Sequence, residues 1–140
     1  MKPGPVNSKA RIRFEESDVG VLATVNHDGS PHLVPITFAL AGSTLVTGVD
    51  HKPKRTLSLK RLANIRRNPR VSVLVQHYGS DWSTLWWARA DGTATLIEPE
   101  DQRHRAAAEL LAERYVQYRD HPIRGHIIEV DIEHWAEWSP

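Results

Sequence analysis

The 140-residue sequence contains no cysteine, a single methionine, and no acidic residue between Asp50 and Asp81. Without cysteine there can be no disulfide bond, thiol nucleophile or thiolate metal ligand. No apolar run approaches the ~20 residues that a helix needs to cross a bilayer, and residues 1–5 lack the apolar core of a signal peptide. These absences predict a cytoplasmic protein with no membrane partner.

The segment without acidic residues is rich in the opposite charge. It holds eight of the 18 Lys and Arg residues, which leaves ten basic against 17 acidic residues in the rest of the chain. A solvated helix usually intersperses Glu with Lys in i,i+4 pairs, and this segment does not. The asymmetry therefore predicts a bound anion rather than a purely solvated surface.

The anion is not expected to be nucleic acid. The pI is about 8.2 and the formal net charge is +1, which falls short of a basic footprint over a whole domain. Zinc-finger spacing, an RNP-like aromatic signature and a basic helix followed by heptads are all missing from the sequence. A small phosphorylated or polycarboxylated molecule fits the limited extent of the basic segment better.

The hydrophobic pattern predicts one mainly β domain over residues 1–140, with 1–9 as a mobile N-terminal segment. Strands are predicted at 19–25, 32–40, 43–49, 71–76, 81–97 and 125–132, with helices over 11–17, in the second half of the basic segment and from 98–101 onward. Asp28-Gly29 indicates a hairpin, and Asp91-Gly92 a bulge or bend. Asn68-Pro69 ends the basic helix. Runs of antiparallel strands with few helices favour a small closed or half-closed barrel.

Three groups of residues, in this order and at these spacings, resemble the split β-barrel of the pyridoxamine 5′-phosphate oxidase-like, FMN-binding flavoproteins. They are Gly-Val-Leu-Ala-Thr-Val at 20–25, Asp-Gly-Ser-Pro-His-Leu-Val-Pro-Ile at 28–36 and Asn-Ile-Arg-Arg-Asn-Pro-Arg-Val-Ser-Val at 64–73. Within that family, residues 81–83, 85–92 and 134–138 are most similar to the branch that uses the deazaflavin coenzyme F420. Nothing matches the C-terminal substrate-binding segment of true pyridoxamine phosphate oxidases.

The resemblance implies a homodimer that binds its cofactor in a groove at the subunit interface. The cofactor phosphate would meet Lys60 and Arg61, with Lys54 and Arg55 nearby, because helix N-terminal amides and a forked guanidinium suit phosphate oxygens. The ring would lie on the second and third strands, along Val34, Pro35, Ile36, Thr37, Thr47 and Gly48. Pro35 has no N–H and indicates an edge or bulge, whereas Gly48 allows close backbone approach.

The implied activity is hydride transfer from reduced F420 to a small unsaturated or quinone-like acceptor. The glutamate chain of a deazaflavin would pair with several cations of the basic segment, whereas FMN alone would leave much of that charge without a partner. FMN in the same fold is the alternative cofactor, and a non-catalytic F420 or anion carrier is the alternative function. The sequence identifies no catalytic side chain.

Other chemistries have less support in the sequence. The five tryptophans are first of all candidates for the core or the dimer interface, although Trp86 or Trp87 could contact the cofactor or substrate. The eight histidines show no H-x-x-x-H or comparable metal-ligand spacing, so no metal is predicted. The chain has no Gly-x-Ser-x-Gly element of the kind that carries a hydrolase nucleophile.

Overall fold

The computed structural model describes residues 8–49 and 55–140, and for residues 55–59 only the helix to which they belong. The strands are β1 (Gly20–Val25), β2 (Pro31–Ile36), β3 (Ala39–Ala41), β4 (Thr44–Gly48), β5 (Arg70–His77), β6 (Trp86–Ile97) and β7 (Ile127–Trp138). The helices are α1 (Lys9–Glu15), α2 (Arg55–Arg67), α3 (Arg103–Arg114) and α4 (Gln117–Asp120). The predicted antiparallel, mainly β fold with short connecting helices is confirmed.

The strands form one antiparallel sheet in the order β2-β1-β5-β6-β7-β4-β3. Strands β2 and β3 lie at opposite ends of this order, yet only Thr37 and Phe38 separate them in the chain. The three Cα–Cα steps from Ile36 to Ala39 span at most about 11 Å, so the sheet must curl until its two edges come close together. We call Thr37–Phe38 the crossover, and it closes the barrel at one point.

The crossover explains why one predicted strand is two. Residues 32–40 were expected to be continuous, but the backbone groups of Phe38 bond to side chains instead of to a strand. The Phe38 N–H donates to the Tyr115 hydroxyl at 3.1 Å, and the Phe38 carbonyl accepts from Arg114 at 3.1 Å. Helix α3 therefore holds the chain where it passes from one sheet edge to the other.

Three predicted boundaries are wrong for local reasons. The strand expected from residue 81 begins at Trp86, because the Asp81 carboxylate accepts from the Ser83 N–H and hydroxyl and fixes a 3₁₀ turn over Trp82–Thr84. Helix α3 begins at Arg103 rather than at 98–101, after a turn in which the Asp101 N–H donates to the Glu98 carbonyl. Strand β7 runs six residues past the predicted end, since β6 offers it a long partner.

The described part of the chain begins with a capped helix. Helix α1 begins at Lys9, with Ser8 as its N-cap accepting from the Arg11 N–H, and the mobility of residues 1–9 stays a prediction. The prediction for residues 1–7 lies outside the described residues. Phe14 of α1 is fully buried and packs edge-on against Phe38 and Trp135. This packing fixes α1 on the barrel next to the crossover.

Two further predictions are confirmed by the pairing of the strands. Pro35 lies on β2, which is an edge of the sheet, where a residue without an N–H costs no ladder bond. The β6–β7 register shifts between Asp91 and Gly92, as expected for a bulge. No helix in residues 8–49 and 55–140 has both the length and the apolar character needed to span a bilayer.

Candidate functional site

Helix α2 is fixed against β1 by a buried amide. Asn64 is 2% exposed, and its Nδ2 donates to Thr24 Oγ1 at 3.1 Å and to Asn26 Oδ1 at 2.9 Å. Arg67 donates to the Val25 carbonyl and to Asn64 Oδ1. Leu62 and Ile65 of the same helix are buried in the core. Arg67, one of the eight cations, therefore helps to anchor the helix to β1.

This anchoring fixes Lys60 and Arg61, the two residues predicted to bind phosphate. Lys60 is exposed and Arg61 is half-buried. Burial lowers the pKa of the Arg61 guanidinium from its ordinary value. Within the described residues neither side chain forms an ion pair. A partly desolvated cation without a counter-charge is a favourable site for an anion.

Three buried side-chain polar atoms have no hydrogen-bond partner among the described residues: Arg61 Nε, His32 Nδ1 and Thr47 Oγ1. Such atoms are uncommon in folded proteins, because each one costs roughly 1–3 kcal/mol when it is left unpaired. Arg61 and Thr47 both belong to the predicted cofactor site. His32 lies close enough to Lys60 and Arg61 for their charges to lower its pKa, after the larger effect of its own burial. The unpaired donors therefore fit a phosphorylated cofactor.

The alternation of β2 divides the predicted wall residues between two faces. Val34 and Ile36 point toward the core, and Ile36 is only 5% exposed, so they can meet a ligand chiefly through their backbone. Pro35 is exposed on the other face. His32 shares the inward face with Val34 and Ile36, and the same alternation in the sequence could have singled it out.

The remaining wall residues lie at the crossover end of the site. Thr37 Oγ1 is hydrogen-bonded to the Tyr118 hydroxyl at 2.7 Å. Ala39 pairs with Val46, so the antiparallel register brings the crossover toward Thr47 and Gly48. A Cβ at Gly48 would come within 2.7 Å of the Ile123 side chain, and the close approach that this glycine permits is therefore to Ile123.

The two ends of the candidate site are separated along β2. His32 and Thr37 are five residues apart, which is roughly 16 Å in an extended strand. Arg61 stands at the His32 end, and Thr47 stands at the Thr37 end. The arrangement suits an elongated ligand with an anionic end and a polar ring end. Lys54 lies outside the described residues, and Arg55 belongs to α2 but its side chain is not described.

The two candidate tryptophans point in different directions. Trp86 packs against the core, stacks on His77 with ring centroids 6.2 Å apart, and lies under the Arg13 guanidinium at 4.5 Å. Trp87 lines an open cavity of about 420 Å³ with Val21, Leu33 and Leu74. We call the sheet surface that carries these four residues the outer face. Trp87 is therefore free to contact a ligand or a partner, whereas Trp86 is engaged in packing.

A second, larger cavity of about 910 Å³ lies on the same surface and contains none of the predicted cofactor residues. At its centre Asp91 accepts from Arg89 at 2.8 and 3.1 Å, from the Ser72 hydroxyl at 2.7 Å, and is 3.2 Å from His134 Nδ1. Burial alone would raise the pKa of Asp91, but these three partners outweigh it and lower the pKa. The sequence pattern does not reveal this cluster, because its residues come from three different strands.

Residues 7–139 match the family described as "Pyridoxamine 5'-phosphate oxidase". A proposed pyridoxamine 5′-phosphate oxidase from Listeria innocua is 26% identical over 92% of this chain and 94% of that chain, with a TM-score of 0.63. An FAD-binding protein from Mesorhizobium loti is 21% identical over 92% and 91%, with a TM-score of 0.69. A heme storage protein from Vibrio cholerae is 16% identical over 99% and 95%, with a TM-score of 0.71. The last two share the fold alone.

Proposed function

This chain belongs to the pyridoxamine 5′-phosphate oxidase family, and we propose that it is an oxidoreductase that binds a flavin-type cofactor with the phosphate at Arg61. The observation that carries this proposal is the half-buried guanidinium of Arg61, whose Nε has no partner among the described residues. Lys60 adjoins it, and the buried Asn64 anchors α2 to Thr24 and Asn26. A phosphate would pair the guanidinium with two oxygens and offset its desolvation.

In the proposed complex, the polar part of the ring lies toward the crossover. Thr47 Oγ1 is buried and unpaired within the described residues, and it offers a hydroxyl donor or acceptor to a ring heteroatom or carbonyl. Tyr118 holds the Thr37 hydroxyl nearby. The cofactor supplies the redox chemistry, and the protein binds, orients and shields it.

We further propose that the cofactor is the deazaflavin F420 and that its reduced form delivers hydride to a small unsaturated or quinone-like acceptor. The basic segment supports this choice, because it holds eight cations and no acidic residue. One phosphate cannot contact all of them, whereas a polyglutamate tail offers several more carboxylates. FMN is the second candidate, since the family is described by a pyridoxamine phosphate oxidase and an FAD-binding protein shares the fold.

The experiment compares the binding of F420, FMN and heme to the purified protein, with Arg61→Ala as the test variant and Arg66→Ala as its control. Arg66 is an exposed cation on the same helix. We expect F420 to bind most tightly, and Arg61→Ala to weaken its binding by roughly 1.5–3 kcal/mol, the range for a hydrogen bond to a charged group. Arg66→Ala should have a smaller effect.

The possible outcomes separate the alternatives. If FMN binds more tightly than F420, FMN is the cofactor. If heme binds in preference to both, the proposal of a flavin-type cofactor is wrong. If Arg61→Ala and Arg66→Ala lose equal affinity, the phosphate does not lie at Arg61. Bound F420 that is never reoxidised by any unsaturated or quinone-like acceptor would indicate a carrier rather than an enzyme.

A further inference from the structure

His32 lies close enough to Lys60 and Arg61 for both cations to lower the pKa of its ring, after the larger effect of burial. It lies on the edge strand β2 opposite Thr24, and it points inward with Val34 rather than outward with Leu33. Its Nδ1 is buried without a partner in the part of the chain that the structure describes. An imidazole nitrogen in this state can serve an incoming ligand either as donor or as acceptor.

The charges around His32 are almost all positive. Helix α2 contributes Lys60 and Arg61, both of which act on the ring, and Arg67 reaches the neighbouring Val25 carbonyl. Strand β1 contributes only the neutral Thr24 opposite His32. The β1–β2 turn contributes Asp28, whose carboxylate is held by the Ser30 N–H and hydroxyl. No carboxylate in the described residues is among the groups that shift the pKa of His32.

We propose that His32 takes up a proton when the phosphate group binds at Arg61, and thereby becomes a third cationic ligand of the anion. The inference rests on the proposed function for the identity of the ligand, but the anion site itself can be tested without a cofactor. It makes the affinity for a tetrahedral anion depend on pH in a range where arginine and lysine do not titrate.

The direction of this dependence follows from the two states of the ring. In the free protein, burial and then the charges of Lys60 and Arg61 lower the pKa of His32 below its ordinary value of 6.5, so the ring is neutral at pH 7. A bound anion favours the charged ring and raises that pKa. Affinity therefore rises as pH falls from the bound-state pKa to the free-state pKa, by up to about tenfold per pH unit.

The test uses sulfate alone as the probe, because sulfate remains a dianion across the whole range and adds no titration of its own. Its affinity is measured by calorimetry between pH 5.5 and 8.5, in buffers of different ionisation enthalpy that report proton uptake. The variants are His32→Gln and the control His27→Gln, which replaces an exposed histidine in the neighbouring turn. The ring signals of His32 are followed by NMR in the wild type with and without sulfate.

We expect the wild type and His27→Gln to bind sulfate several-fold more tightly at pH 6 than at pH 8 with net proton uptake. His32→Gln should bind with an affinity that is independent of pH. Failure of sulfate to bind at pH 6, a flat pH profile in the wild type, or an unchanged profile in His32→Gln would each overturn the inference. If His32→Gln does not fold, the wild type still provides a test. A His32 pKa, measured by NMR, that sulfate leaves unchanged would also overturn the inference.

The same measurements with cofactor distinguish this inference from the proposed function. A flavin-type cofactor that binds tightly without proton uptake would leave the function standing and remove the role of His32. Proton-linked sulfate binding in a protein that binds no flavin-type cofactor would have the opposite meaning: the anion site would stand, and the cofactor assignment would fall.

Discussion

At the scale of single residues, Asp91 is the best-connected carboxylate of the described chain. Its oxygens accept from Arg89 and Ser72 and face His134, and its side chain is 29% exposed. Because its pKa is lowered in the folded state, the carboxylate stabilises the fold above its ordinary pKa of about 4. That contribution is lost as pH falls through the folded-state pKa.

We therefore predict that Asp91→Asn lowers the free energy of unfolding at pH 7 by roughly 1.5–3 kcal/mol, the range for hydrogen bonds to a charged group. The difference from wild type should begin to shrink below about pH 4, where the unfolded chain takes up a proton at this carboxyl group, and it should largely vanish only below the lower folded-state pKa. Urea unfolding at several pH values measures this. Asp120→Asn, at an exposed carboxylate of α4, serves as the control. If the loss in free energy of unfolding of Asp91→Asn stays constant down to pH 2.5, the prediction is wrong.

At the scale of the elements, the sequence was sufficient where local pattern and tertiary structure agree. The alternation of β1, the stop at Asn68-Pro69 and the bulge at Asp91-Gly92 were all predictable, because each depends on neighbouring residues. The division of residues 32–40 was not, because it depends on Arg114 and Tyr115, which lie more than 70 residues further along the chain. The inward position of His32 was predictable from the alternation of β2. Its proximity to Arg61 was not, because it depends on how α2 packs on the sheet.

The bulge between β6 and β7 also gives a prediction for stability. A Cβ at Gly92 would lie 2.2 Å from the Asp131 carbonyl oxygen, and a backbone atom cannot move aside as a flexible side chain can. Gly92→Ala should therefore lower the free energy of unfolding by on the order of 3 kcal/mol, as expected for a core clash. Gly79→Ala, where a Cβ meets nothing within 4 Å, should be close to neutral in the same urea titration. Equal stability of the two variants would show that the bulge can relax.

At the scale of the whole molecule, the outer face of the sheet carries several exposed apolar side chains. Leu33 is 63% exposed on it, Trp138 is 45% exposed, and Trp87 pairs with Trp138 across β6 and β7. Val21 and Leu74 continue the same surface. Exposed apolar side chains that gather on one surface are a common feature of interaction sites. We propose that two copies of this chain pack through the outer face, and that the cofactor lies at the edge of this interface.

Trp87→Glu tests that proposal, because it places a charge at the centre of the outer face while leaving the core contacts of Trp86 intact. Sedimentation should show a two-chain species for the wild type at micromolar concentration without cofactor, and a monomer for Trp87→Glu. Cofactor affinity should fall together with dimerisation if the site takes walls from both subunits. Val116→Glu changes an exposed apolar residue between α3 and α4, and it should remain a dimer with wild-type affinity. A wild-type monomer that binds its cofactor at full affinity would exclude the shared site, because the cofactor site would then be complete within one chain.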